Sequence, residues 1–165
     1  MAILNILVLC IGNSARSILL EALLNRLGEG RVRAFSAGSQ PTGAVHPQSL
    51  RLLEGLGYDV SRVRSKSWDE FAGEEAPEMD AVITVCAAAT GETCPIWPAR
   101  NGLAPVRSHW GVDDPAAADE AGWEAAFASA YAILERRARA LLDMPVEDME
   151  AGELKIHLDR IGELS

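Results

Sequence analysis

The chain has 165 residues, 48% of them hydrophobic, and a net charge of −9 from 15 Lys and Arg against 24 Asp and Glu. That length suits one domain with a substantial core, and the negative balance disfavours nucleic acid and anionic membranes as partners. The N-terminus lacks the charged start and cleavage site of a secretory signal, and its apolar run, Ile3 to Leu9, is too short to span a bilayer. A cytoplasmic protein is expected. Its three cysteines, Cys10, Cys86 and Cys94, are then reactive or metal-binding rather than a disulfide framework, unless they simply pack as small hydrophobes.

In chain order, Ile3–Leu9 is a short continuous apolar run and reads as a buried strand. Leu19, Leu20, Leu23, Leu24 and Leu27 follow at helical spacing, with Gly28 as the stop. Arg31–Gly38 reads as a second strand. Pro47 opens a helix with Leu50, Leu53 and Leu56 on its inner face, closed by Gly57. Ser67 and Glu70 form a capping box for a short helix. Asp80–Cys86, rich in β-branched residues, is a third strand, and Val106–Trp110 a fourth. A long helix runs from Trp123 to Leu142 with Phe127, Ala130, Leu134, Ala138 and Leu141 inward. A weaker helix over Glu147–Leu164 turns Leu154, Leu158 and Ile161 to one side.

Strands alternating with helices predict an α/β fold: a four-stranded parallel sheet flanked by helices, Rossmann-like and three-layered. Such sheets bind ligands at the carboxyl ends of their strands. Cys10, Cys86 and the pair Asp113 and Asp114 all follow strand ends, so the reactive groups gather at one edge.

Between the first strand and helix lies Cys10-Ile11-Gly12-Asn13-Ser14-Ala15-Arg16-Ser17. Backbone N–H groups of such a loop converge, and the helix dipole adds positive potential there. The loop is therefore a candidate oxyanion cradle. Gly12 permits a tight backbone, and Asn13 suits a left-handed conformation that ties the loop to neighbouring turns. Arg16 offers a planar fork for two oxygens of a tetrahedral anion. The same field lowers the pKa of Cys10 towards a thiolate nucleophile, to which Ser17 can donate. A bare Cys-x5-Arg is a weak signal; between this strand and this helix it is a strong one.

The stretch "VLCIGNSARS" resembles the anion loop of the low-molecular-weight protein tyrosine phosphatase fold. With "SAGSQPTGAVHP", "VITVC", "CPIWP" and "HWGVDDPA", the chain resembles more closely the arsenate reductases built on that fold. The likeness covers about Ile3 to Leu142. It implies a phosphatase-like domain over residues 1–145, with 146–165 a helical extension of the same domain. It also implies reduction of arsenate, with phosphate or sulfate as mimics. Asp114, before Pro115, would protonate the departing oxygen. Cys10 would form a thiol–arsenic adduct, Cys86 would attack Cys10, and Cys94 would pass the disulfide to an external thiol reductant. No bound cofactor is implied. The seven residues between Cys86 and Cys94 slightly exceed the gap in thioredoxin-coupled members, so glutathione with glutaredoxin stands beside thioredoxin as the reductant.

Phosphatases of this fold carry a second loop cysteine, where this chain has Ala15. They also carry a tyrosine soon after the Asp-Pro, where Pro115-Ala116-Ala117 stands. Some of the reductases hold potassium at positions matching Asn13, Glu21 and Ser36 plus an acidic residue. Here Lys66 takes the acidic position, and no metal is expected. Zinc on the three cysteines and His109 is disfavoured, because the spacing lacks a short Cys-x2–4-Cys pair. His46 reads as a turn residue, Trp97 and Trp110 as packing near the site, Trp68 and Trp123 as helix packing. Arg100 and Arg107 are positive charges at the surface or the mouth. The competing functions are a small phosphatase acting on phosphate monoesters and a non-catalytic oxyanion-binding or redox-sensing module.

Overall fold

The computed structural model describes residues 3–73, 75–85 and 105–164. Four parallel strands form the sheet: β1 (Leu4–Cys10), β2 (Val32–Gly38), β3 (Ala81–Thr84) and β4 (Val106–His109), in the order β2-β1-β3-β4. β1 is central, pairing Cys10 with Gly38 on one side and Leu9 with Thr84 on the other. A central parallel strand is covered on both faces, which is why its whole length is buried and apolar apart from Asn5. Asn5 is accommodated by two bonds: its N–H donates to Asp80 Oδ2 (2.8 Å) and its Nδ2 to the Glu78 carbonyl (2.9 Å).

The two-residue period of β1 divides the interior. Leu4, Ile6, Val8 and Cys10 join the larger core with helix residues, while Leu7 and Leu9 join a smaller cluster with Ala37, Phe71, Met79 and Val82. The helices are α1 (Arg16–Leu27), α2 (Pro47–Gly55), α3 (Trp123–Leu142) and α4 (Ala151–Gly162). All four contribute to the larger core. Leu19, Leu20, Leu23 and Leu24 of α1 are fully buried, each contributing roughly 1.5–3 kcal/mol of transfer free energy. The expected inward face of α3 is buried at every position, and Arg137 is buried with it. On α4, Leu154, Leu158 and Ile161 are buried as the sequence predicts. No helix among the described residues is long and apolar enough to cross a membrane.

Two local expectations change. The inner face of α2 is Gln48, Ser49 and Leu53, with Leu56 44% exposed beyond the helix end. The chain bends away there, with Gly57 at φ +87°. Ser67 caps the expected short helix, a 3-10 turn over Trp68–Phe71, accepting from the Asp69 N–H at 3.1 Å. Glu70 does not close a capping box; it takes a two-pronged ion pair with Arg64 (2.7 and 3.0 Å). An arginine fork outcompetes a single backbone donor for a carboxylate. The exposed edge of β2 is blunted by Asn25, whose amide accepts from Ala34 N–H (2.8 Å) and donates to its carbonyl (3.0 Å).

Candidate active site

Cys10 ends β1 and is 6% exposed. Arg16 opens α1 behind Ala15, which offers the helix no side-chain cap. Arg16 Nη1 donates to the Val112 carbonyl (2.7 Å), and Nη2 lies 3.8 Å from both Cys10 Sγ and Asp114 Oδ2. Its Nε is buried with no hydrogen-bond partner among the described residues. A buried donor left unmatched is costly. Asp114 has two employments. Its Oδ1 accepts from the Ala116 N–H (3.0 Å), capping the 3-10 turn Pro115–Ala117, while Oδ2 faces Arg16. Asp113 is exposed and shares the shallow cleft of Arg16, Gly111, Val112 and Asp114.

The loop from Ile11 to Ala15 is held from behind by a segment whose role sequence reasoning missed. Its carbonyls accept from Ser39 N–H (at Cys10, 3.2 Å), Gln40 N–H (at Ile11, 2.9 Å), Thr42 N–H (at Gly12, 3.1 Å) and His46 N–H (at Ser14, 3.1 Å). Ser65 Oγ and Ser49 Oγ donate to the Gly12 and Ser14 carbonyls (3.1 and 2.8 Å). With its carbonyls fixed outward, the loop has its conformation set before any ligand arrives. Gly38 admits the close approach: a Cβ there would lie 2.4 Å from the Ile11 carbonyl oxygen. Asn13 takes the left-handed conformation expected of it, at φ +48°. Its Nδ2 donates to Ser17 Oγ (2.9 Å) and Ser36 Oγ (3.0 Å), and its Oδ1 accepts from Lys66 N–H (2.9 Å).

Beneath that network Ser36 Oγ donates to Glu21 Oε1 (2.9 Å). The Lys66 ammonium lies 3.4 Å from Ser36 Oγ, 3.2 Å from the Arg64 carbonyl and 3.8 Å from Glu21 Oε2. A potassium ion does not fit here, because an ammonium already sits among those oxygens. Burial raises the Glu21 pKa, against the pull of Lys66, and burial lowers that of Lys66, against the pull of Glu21. Lys66→Met is therefore expected to destabilise the fold by about 1–3 kcal/mol, since it strands a mostly buried carboxylate. A carboxyl whose folded pKa is raised loses stability as pH rises through that value. Urea melts should show a larger deficit at pH 8 than at pH 5 (both about), and equal deficits would refute the pairing.

His46 proves more than a turn residue. Its Nδ1 caps α2 by accepting from Gln48 N–H (3.0 Å), and its ring packs on Trp123 and Phe127 at 4.5 and 4.8 Å. Burial holds its pKa below the ordinary value, opposed by Asp114. Trp110 is fully buried, Trp123 is half-buried with Nε1 on the Ala118 carbonyl, and Arg107 is exposed. His109 Nδ1 pairs with Thr84 Oγ1 at 2.7 Å. Cys86, Cys94, Trp97 and Arg100 lie outside the described residues. Among the described residues no cluster of three or more His, Cys, Asp or Glu could hold a metal ion.

The family model described as "Low molecular weight phosphotyrosine protein phosphatase" matches residues 5–151. The arsenate reductase of Halalkalibacterium halodurans is 34% identical over 118 residues, 70% of this chain and 78% of that protein. The structure of an arsenate reductase from Archaeoglobus fulgidus is 26% identical with a TM-score of 0.58, covering 81% of this chain and 98% of that one. A thioredoxin-dependent arsenate reductase of Corynebacterium glutamicum shares the fold at 23% identity and TM-score 0.61; 86% of this chain is covered, which spans 61% of that protein. With a family model matched over most of its length and a curated relative at 34% identity, the chain belongs to the low molecular weight phosphotyrosine protein phosphatase family.

Proposed function

We propose that the chain reduces arsenate to arsenite in the cytoplasm, with electrons from an external thiol. The observation that carries the reading is the convergence of Cys10, Arg16 and Asp114 from three separate elements within 3.8 Å contacts. The curated relatives named arsenate reductase support the choice of substrate. In this reading the N–H groups of the Ile11–Ser17 loop and the Arg16 fork hold three arsenate oxygens. The Cys10 thiolate attacks arsenic, and Asp114 protonates the departing oxygen, which leaves as water. A Cys10–arsenic(V) bond results. The Cys86 thiolate then attacks Cys10 Sγ. The sulfur–arsenic bond breaks with its electron pair remaining on arsenic, so arsenite leaves as arsenic(III) and a Cys10–Cys86 disulfide forms. Cys94 attacks Cys86, and the Cys86–Cys94 disulfide is returned to dithiol by thioredoxin, or by glutathione with glutaredoxin.

Arsenite formation with each reductant system, run side by side, tests both levels. Turnover with neither would sink the reading, and turnover with one identifies the reductant. Cys94→Ser should trap a Cys10–Cys86 disulfide after one equivalent of arsenate, visible by peptide mass mapping. Full multiple turnover of that variant with glutaredoxin and glutathione would remove Cys94 from the relay. The family model itself favours a second reading, hydrolysis of small phosphate monoesters. Aryl phosphate hydrolysis measures it, and the small Pro115-Ala116-Ala117 turn argues for weak activity on aromatic substrates.

A further inference from the structure

The family match ends at residue 151, where α4 begins. α4 runs along β4, the edge of the sheet beyond β3. Lys155 Nζ donates to the Arg107 carbonyl (2.5 Å), and Ser108 Oγ donates to Asp159 Oδ1 (2.7 Å). The buried Trp110 indole donates to the Leu158 carbonyl (2.9 Å). At Gly162 the helix backbone comes so near that a Cβ would lie 2.6 Å from the His109 carbonyl oxygen and 3.0 Å from Trp110 Cδ1.

Arg137 ties the same parts together from α3. It is 5% exposed, and its Nη1 donates to the Trp110 and Gly111 carbonyls (2.9 and 3.1 Å) while Nε donates to the Leu164 carbonyl (2.8 Å). Carrying a guanidinium into the interior to bond main-chain carbonyls is expensive, so the geometry it fixes matters. The next residue along, Val112, accepts from Arg16 and donates to the Val85 carbonyl (3.0 Å). Asp114 follows two residues later. A continuous set of bonds therefore runs from α4 through Trp110 and Gly111 to Val112, Arg16 and Asp114.

We propose that α4, acting through Trp110 and Arg137, is a positioning element that sets residues 110–114 and so aims Asp114 at the anion held by Arg16. The inference rests on the reading of Asp114 as general acid. Positioning of this kind is worth rate, because a small misplacement of a catalytic group is costly even when its cause is remote.

The test uses the full chain with Gly162→Ala, which forces the helix end away from His109, and Trp110→Phe, which keeps an aromatic ring and removes the Leu158 bond. Hydrogen exchange read by mass spectrometry should accelerate about tenfold over residues 110–116 in both variants, with β1 and α1 unchanged. Arsenate turnover should lose on the order of tenfold in kcat, with KM within about twofold. A helix that only adds stability would lower Tm while leaving exchange at 110–116 and kcat of the folded protein at wild-type values. Either unchanged quantity, in an active wild-type background, overturns the proposal. If Gly162→Ala does not fold, Trp110→Phe decides alone. If the wild-type chain reduces no arsenate, the proposed function fails, and the exchange result still decides whether α4 sets the segment.

Discussion

Cys10→Ser is expected to abolish arsenate reduction, by roughly four to six orders of magnitude, as removal of a catalytic nucleophile does elsewhere. The substitution changes one atom at the end of a central strand, in a side chain 6% exposed, so circular dichroism and Tm should stay near wild type. Serine keeps a hydroxyl beside Arg16, but an alcohol is scarcely ionised at neutral pH and cannot form a disulfide. Both halves of the proposed reaction are lost. The companion measurement on the wild type is alkylation rate against pH. With Arg16 Nη2 at 3.8 Å and the start of α1 beside it, the midpoint should fall well below the roughly 8.5 of a free thiol. A midpoint at the ordinary value would remove Cys10 as the nucleophile.

Arg16→Lys should raise the barrier by about 2–4 kcal/mol, the loss seen when a preorganised oxyanion donor is removed. The guanidinium divides its work. Nη1 anchors the Val112 carbonyl at 2.7 Å, Nη2 faces Cys10 and Asp114, and the buried Nε has no acceptor among the described residues. An ammonium keeps the charge but is a single point; it cannot hold Val112 and two anion oxygens together. The loss should appear in kcat/KM for arsenate and in weaker inhibition by phosphate. Kinetics within about twofold of wild type would show that Arg16 only packs.

Much of this arrangement was legible in the sequence because it depends on near neighbours. The strand, loop and helix around Cys10, the inward face of α3 and the left-handed Asn13 follow from periodicity and local backbone preference. Lys66 beside Glu21 was legible only through family resemblance, since 45 positions separate them along the chain. What escaped depends on tertiary approach. The N–H groups of residues 39–46 that grip the loop carbonyls leave no trace in residue type, because any backbone can supply them. Arg137 sits at an inward position beside Leu134 and Ala138, and an arginine there reads as a solvated charge until the carbonyls it meets are known. Glu70 obeyed a local capping pattern in sequence but found a stronger partner in Arg64.

The central place of β1 also bears on the order in which the site is completed during synthesis. The strand that carries Cys10 is made first, yet its partner β3 begins at Ala81 and the carbonyl that anchors Arg16 lies 96 residues further along than Arg16 itself. Closing contacts so distant in sequence costs chain entropy. A growing chain cannot make the Val112 anchor of Arg16 until the segment after the last strand has been synthesised. The site is therefore completed only with the far half of the chain, although its cysteine and its arginine lie six positions apart.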